Sequence, residues 1–121
     1  MMIIRPPVVA GSFYELNREM LKKQIDQCFK HKLGPKTMKP QKIFAAIVPH
    51  AGYDYSGPIA AWVYSILESA NFIILGPNHT GIGSIFAISK KGLWKTPLGD
   101  VVIKEDAAEK LLECKLIEYD I

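Results

Sequence analysis

Phe44-Ala-Ala-Ile-Val-Pro-His50-Ala-Gly-Tyr-Asp-Tyr-Ser-Gly57 and Phe72-Ile-Ile-Leu-Gly-Pro-Asn-His79-Thr-Gly81 are two versions of one pattern. Each is a short, continuously apolar run that ends in a turn rich in Gly and Pro, and each turn carries a histidine. Runs of that kind read as strands buried on both faces, here over residues 43–48 and 72–75. The stretch between them has helical periodicity, so the whole reads as strand, helix, strand at the length of a βαβ unit. Neighbouring strands of a parallel sheet lie about 4.8 Å apart. His50 and His79 would then emerge together at the carboxyl edge of the sheet, where open α/β folds hold their ligands. The expected fold class is α/β, a mainly parallel sheet flanked by helices.

Working outward, residues 5–14 (Arg-Pro-Pro-Val-Val-Ala-Gly-Ser-Phe-Tyr) read as an extended segment, because tandem prolines exclude a helix. Asn17 is a natural N-cap for a helix running to about Leu33. Leu21, Ile25, Cys28, Phe29 and Leu33 would form its buried stripe, with Gly34-Pro35 as the stop. For the second helix, Gly57 suits the N-cap and Pro58 the first helical position. Ile59, Ala60, Val63, Tyr64 and Leu67 would face inward there. Further strands are expected over residues 85–89, 101–103 and 116–121. Lys90-Lys91-Gly92 reads as a turn, residues 94–99 as a loop, and residues 105–113 as a last amphipathic helix with Ala108, Leu111 and Leu112 inward.

The 121 residues are 49% hydrophobic, which suits one globular domain over 1–121 with a core of its own. The formal charge of +3 is spread along the chain. Its mild cluster at residues 36–42 reads as a solvated connector and not as a nucleic-acid surface. No apolar stretch reaches the roughly 20 residues of a membrane span. Arg5 followed by two prolines is unlike a signal peptide. Cys28 and Cys114 are isolated, with no disulfide framework or CxxC pattern. These features make a cytoplasmic location the default expectation, with neither nucleic acid nor membrane as a partner.

Two neutral imidazoles suit iron, copper or zinc, and two histidines with one carboxylate is a common set for non-haem iron. The plainer reading has both side chains bonded within their own turns. Asp54 is the nearest carboxylate to His50, although capping the helix turn suits it better. Asp100, Cys28 and Cys114 have no spacing argument as ligands, and His31 falls on the polar side of the first helix. The 76–81 turn could alternatively cradle an anion on its amides, but it has neither the Lys-Ser/Thr of a P-loop nor a GxGxxG. Tyr53, Tyr55 and Asn78 are the expected pocket-lining residues. Ser12 and Ser56 have no neighbouring base, and no catalytic residue can be named.

Four segments in order resemble the Memo family, also called AmmeMemoRadiSam system protein B. They are Arg5-Pro-Pro-Val-Val-Ala-Gly-Ser-Phe-Tyr14, Val48-Pro-His-Ala-Gly-Tyr53 with Ser56-Gly57, Gly76-Pro-Asn-His-Thr-Gly81, and Trp94-Lys-Thr-Pro-Leu-Gly99. The resemblance implies a fold similar to the class III, LigB-type extradiol dioxygenases, with His50 and His79 at two metal-site positions. It also implies an incomplete domain, because the Glu-His-Ser and Ser-Asp-Phe segments of the family's later half do not occur here. The expected function is therefore a metal site, of iron or copper and compatible with zinc, serving a redox enzyme of unknown substrate. The alternative is a non-catalytic binding or signalling module that takes a small molecule or peptide in the same histidine-lined cleft. Self-association, or pairing with a missing C-terminal portion, is the expected consequence of incompleteness.

Overall fold

The computed structural model describes residues 3–119. The elements run β1 (Ile4–Arg5), α1 (Arg18–Lys30), α2 (Tyr53–Tyr64), β2 (Ala87–Ile88), β3 (Leu93–Thr96), β4 (Gly99–Val102), α3 (Glu105–Leu112) and β5 (Glu118–Tyr119). The chain is thus α/β, as its sequence pattern indicates. It divides into two compact units, Pro7–Ala70 and Met1–Pro6 with Asn71–Ile121.

The Pro7–Ala70 unit is a pair of helices. The Asn17 side chain caps α1, its Oδ1 accepting from the amides of Glu19 and Met20 at 2.9 and 3.1 Å, and Glu19 in the first turn favours the helix dipole. Leu21 and Cys28 form the buried edge of the expected stripe. The helix stops at Lys30, short of Leu33, and the Leu33 amide is taken up by Nδ1 of His31 at 3.1 Å.

The second helix begins earlier than expected. Gly52 is its N-cap and Pro58 lies inside it, so one amide of the helical ladder is missing at that point. The start is set by a contact distant in sequence: the Tyr53 amide donates to the Phe13 carbonyl at 2.8 Å. Its buried face also differs. Ser56, Gly57 and Ala61 are buried, whereas Ile59 and Tyr64 are exposed. A Cβ at Gly57 would collide with the Cys28 Sγ, so the small residues let α2 approach α1 closely, and that requirement chooses the face.

The segment before α1 is not extended along its length. After β1 it folds into successive turns, with the Ala10 amide donating to the Pro7 carbonyl at 3.1 Å and the Gly11 amide to the Tyr14 carbonyl at 2.7 Å.

In the other unit, β1 pairs parallel with β3, and β3 pairs antiparallel with β4. Residues 94–99, expected as a loop, belong to this β3–β4 hairpin. The Thr96 hydroxyl closes its turn, donating to the Gly99 carbonyl at 2.7 Å and accepting from the Gly99 amide at 3.2 Å. The expected strand 85–89 is present as β2. It pairs parallel with β5, Ala87 opposite Glu118 and Ile88 opposite Tyr119. Glu118 and Tyr119 are therefore held in a sheet, with the Ser84 hydroxyl bonded to the Glu118 carboxylate as well. Asp120 and Ile121, the end of the expected strand, lie outside the described residues. The third helix matches its expected range closely and buries Ala108.

The two apolar runs that end in the histidine turns do not become strands. Residues 43–48 and 72–75 enter neither sheet, and Phe44, Ile47, Ile74 and Leu75 are almost wholly exposed. A strand without polar alternation needs neighbours on both edges and cover on both faces. The described residues supply neither to these runs.

Candidate functional site

His50 and His79 are both exposed, and each has an interaction within the structure. His50 belongs to the Pro7–Ala70 unit and His79 to the other, each in the turn after its apolar run.

The turn that carries His79 is organised by one side chain. Asn78 Oδ1 accepts from the Thr80 hydroxyl at 2.8 Å and from the Thr80 and Gly81 amides at 3.2 and 3.1 Å. Its Nδ2 donates to the Ile82 carbonyl at 2.8 Å. Two of the amides that an anion-binding nest would offer, those of Thr80 and Gly81, are thus already taken by an oxygen of the chain itself. Asn78 acts as the internal frame of the histidine turn, a role that the Pro-Asn-His-Thr-Gly string reveals only when the side-chain oxygen is followed.

The turn that carries His50 leads into α2. The Ser56 hydroxyl donates back to the Ala51 carbonyl at 2.9 Å and fastens the turn to the helix start. Asp54, in the first turn of α2, accepts from Gln24 Nε2 at 2.8 Å, while Gln24 Oε1 accepts from the Glu15 amide at 3.0 Å. Gln24 thus ties three segments together. Nothing in its local sequence marks it, since its partners are contributed by distant parts of the chain.

Tyr53 and Tyr55 line a shallow cleft of about 230 Å³ together with Gln24, Cys28, His31 and Asp54. The Tyr14 and Tyr53 rings pack with centroids 5.4 Å apart. Burial raises the Cys28 thiol above its ordinary range, and the nearby Asp54 charge adds to the effect. Burial raises the Tyr53 phenol as well, with Tyr64, Tyr14 and Cys28 contributing. A protonated buried thiol is a poor nucleophile, which suits Cys28 to a packing role.

Both groups are held neutral, and folding favours that form. Their contribution to stability is complete below the unfolded-state values and fades as pH rises through the folded ones. The melting temperature should therefore fall as pH climbs beyond about 9. Tyr53→Phe, which keeps the ring and removes one titration, should flatten part of that fall. Superimposable pH profiles for the two proteins would contradict this assignment for the phenol.

The described residues hold no group of three or more His, Cys, Asp or Glu side chains arranged to hold a metal ion. No helix among them is long and apolar enough to cross a membrane.

The family model for Memo-like protein matches residues 5–120. The chain belongs to the Memo-like family. It is similar to a MEMO1 family protein of Pyrobaculum arsenaticum, 48% identical over 119 residues that cover 92% of this chain and 42% of the relative. The MEMO1 family protein of Sulfurisphaera tokodaii is 49% identical over 130 residues, 98% of this chain and 46% of the relative. That of Methanopyrus kandleri is 42% identical over 127 residues, 97% and 45%. The Memo-like chain therefore spans less than half the length of these curated relatives. The four sequence segments that suggest the family lie within the matched residues, with both histidine turns among them.

Proposed function

We propose that this Memo-like chain contributes two imidazole ligands, His50 and His79, to one metal centre of the non-haem iron or copper type, a donor pair that zinc would also accept. In this reading the centre sits at the carboxyl edge of a mainly parallel sheet similar to that of LigB-type dioxygenases, and it serves redox chemistry on an unknown substrate. The observation that carries the proposal is the repeated one: an apolar run ending in a structured turn with a histidine, twice, in a chain of this family. Residues 43–48 and 72–75 would be central strands of that sheet once covered.

The donor set fits such metals in type but falls short in number. Two neutral imidazoles are good ligands for first-row ions, yet a catalytic centre ordinarily takes three protein ligands and an open position. A third ligand among the described residues is not apparent, and no chemical step is assigned to the metal. The remaining ligands would come from the part of the relatives' length that this chain does not span.

Metal content of untagged protein, measured by elemental analysis after loading with iron(II) or copper(II) and desalting, tests the assignment. Wild type should retain metal, and His50→Ala/His79→Ala should lose it. Equal retention by the two, or none by wild type, would sink the proposal. Metal binding competes with protonation of imidazole, which in water occurs near pH ~6.5. Affinity should fall steadily from pH 7.5 to 5, and a flat profile would contradict histidine ligation. Ligand-induced stabilisation that survives chelation would instead favour the non-catalytic binding module.

A further inference from the structure

Two of the segments that mark the family come together where β1 pairs with β3. Arg5 on β1 lies opposite Trp94 on β3 in the parallel register, and its guanidinium carbon stands 4.5 Å from the centroid of the Trp94 ring. The register is fixed next door at Gly92. Its φ is +132°, and a Cβ there would run into the Ile3 carbonyl oxygen, which accepts the Leu93 amide at 2.9 Å. Any other residue at position 92 would push β1 away from β3.

Beside this stack lies a cavity of about 270 Å³, lined by Arg5, Ser89, Lys91 and Trp94 with Ile4 and Pro6. Among the described residues, its wall has two cationic side chains and a hydroxyl, and no carboxylate. Lys90 is engaged by Glu109 at 3.1 Å. Its neighbour Lys91, like Arg5, forms no ion pair among the described residues. Stacking on the indole restricts the guanidinium before any ligand arrives, so less freedom is lost when its fork engages an oxyanion.

We propose that this cavity is a binding site for the phosphate group of a small soluble molecule. Arg5 would take two phosphate oxygens through its fork, Lys91 would add a second positive charge, and the Ser89 hydroxyl would donate to a third oxygen. Two cations match a doubly charged phosphate better than a singly charged carboxylate. The site is independent of the metal centre proposed above and does not involve either histidine.

The chain contains two tryptophans, so Trp62→Phe leaves Trp94 as the only indole reporter. Inorganic phosphate titrated into that variant should change Trp94 fluorescence saturably. Acetate or chloride at matched ionic strength should act at least about tenfold more weakly. In wild type, phosphate should raise the melting temperature in parallel. Lys91→Ala, in the exposed turn, and Arg5→Gln should each weaken the response about tenfold or more. A response that chloride reproduces, or that persists unchanged in Lys91→Ala and Arg5→Gln, would overturn the site. So would the absence of any saturable response. If Arg5→Gln lowers stability while phosphate leaves wild type unaffected, the stack is only a fastening between β1 and β3.

Discussion

Gly57→Leu should destabilise the chain by about 3 kcal/mol or more, the upper range for forcing extra side-chain atoms into a packed interface. The expectation follows from the space available: the Cβ position at Gly57 is already occupied by the Cys28 Sγ, and both residues are buried. Neither helix can relax freely. The Asp54–Gln24 bond and the Trp62 Nε1 donation to the Leu33 carbonyl at 2.7 Å hold α2 to α1 and to the turn after it. Gly76→Ala is the matched control, because a Cβ there meets open space. Urea unfolding followed by circular dichroism should show a much lower midpoint for Gly57→Leu and almost none of that change for Gly76→Ala. Equal midpoints for Gly57→Leu and wild type would show that the two helices do not pack as described.

Wild-type protein should also sediment or scatter light as a dimer or larger species at micromolar concentration. The run 43–48 presents Phe44 and Ile47 to solvent, and the run 72–75 presents Ile73, Ile74 and Leu75; exposed apolar surface on either run drives association. Unpaired backbone beside it offers a template for strand pairing. Ile74→Lys with Leu75→Lys should shift the population strongly towards monomer and leave a melting temperature that no longer rises with protein concentration. A wild type that stays monomeric throughout would contradict the reading of these runs as strands that await cover.

Much of the local structure was legible because its causes are local. Asn17 caps α1 through its own side chain, and the spacing of Ala108, Leu111 and Leu112 marks α3. The errors arise where a distant partner decides. Gly57-Pro58 carries a strong helix-start signal, yet the helix begins at Tyr53, where the Phe13 carbonyl accepts its first amide. Ile59 and Tyr64 are the larger choice for the inner face of α2, but Gly57 is small enough to meet Cys28. The Trp94–Gly99 string reads as a loop, whereas the Thr96 hydroxyl closes it into a hairpin turn. For 43–48 and 72–75, composition states what kind of environment the runs suit. Pairing depends on neighbouring strands that composition cannot supply.

The candidate site shows the same division. The histidine turns were recognisable from Gly, Pro and His at the ends of apolar runs. The use of Asn78 as a frame, of Gln24 as a three-way tie, and of Arg5 as a partner for Trp94 required coordinates, because each depends on where a side-chain oxygen, amide or guanidinium ends up.

The central claim is that His50 and His79 serve one ion together. Electron paramagnetic resonance of the copper(II)-loaded protein reads this directly, because nitrogen ligands split the copper signal and their number can be counted. One copper per chain with two imidazole nitrogens, falling to one nitrogen in either His50→Ala or His79→Ala, is the predicted result. Two coppers per chain with one imidazole each, or a spectrum unchanged by either substitution, would contradict it.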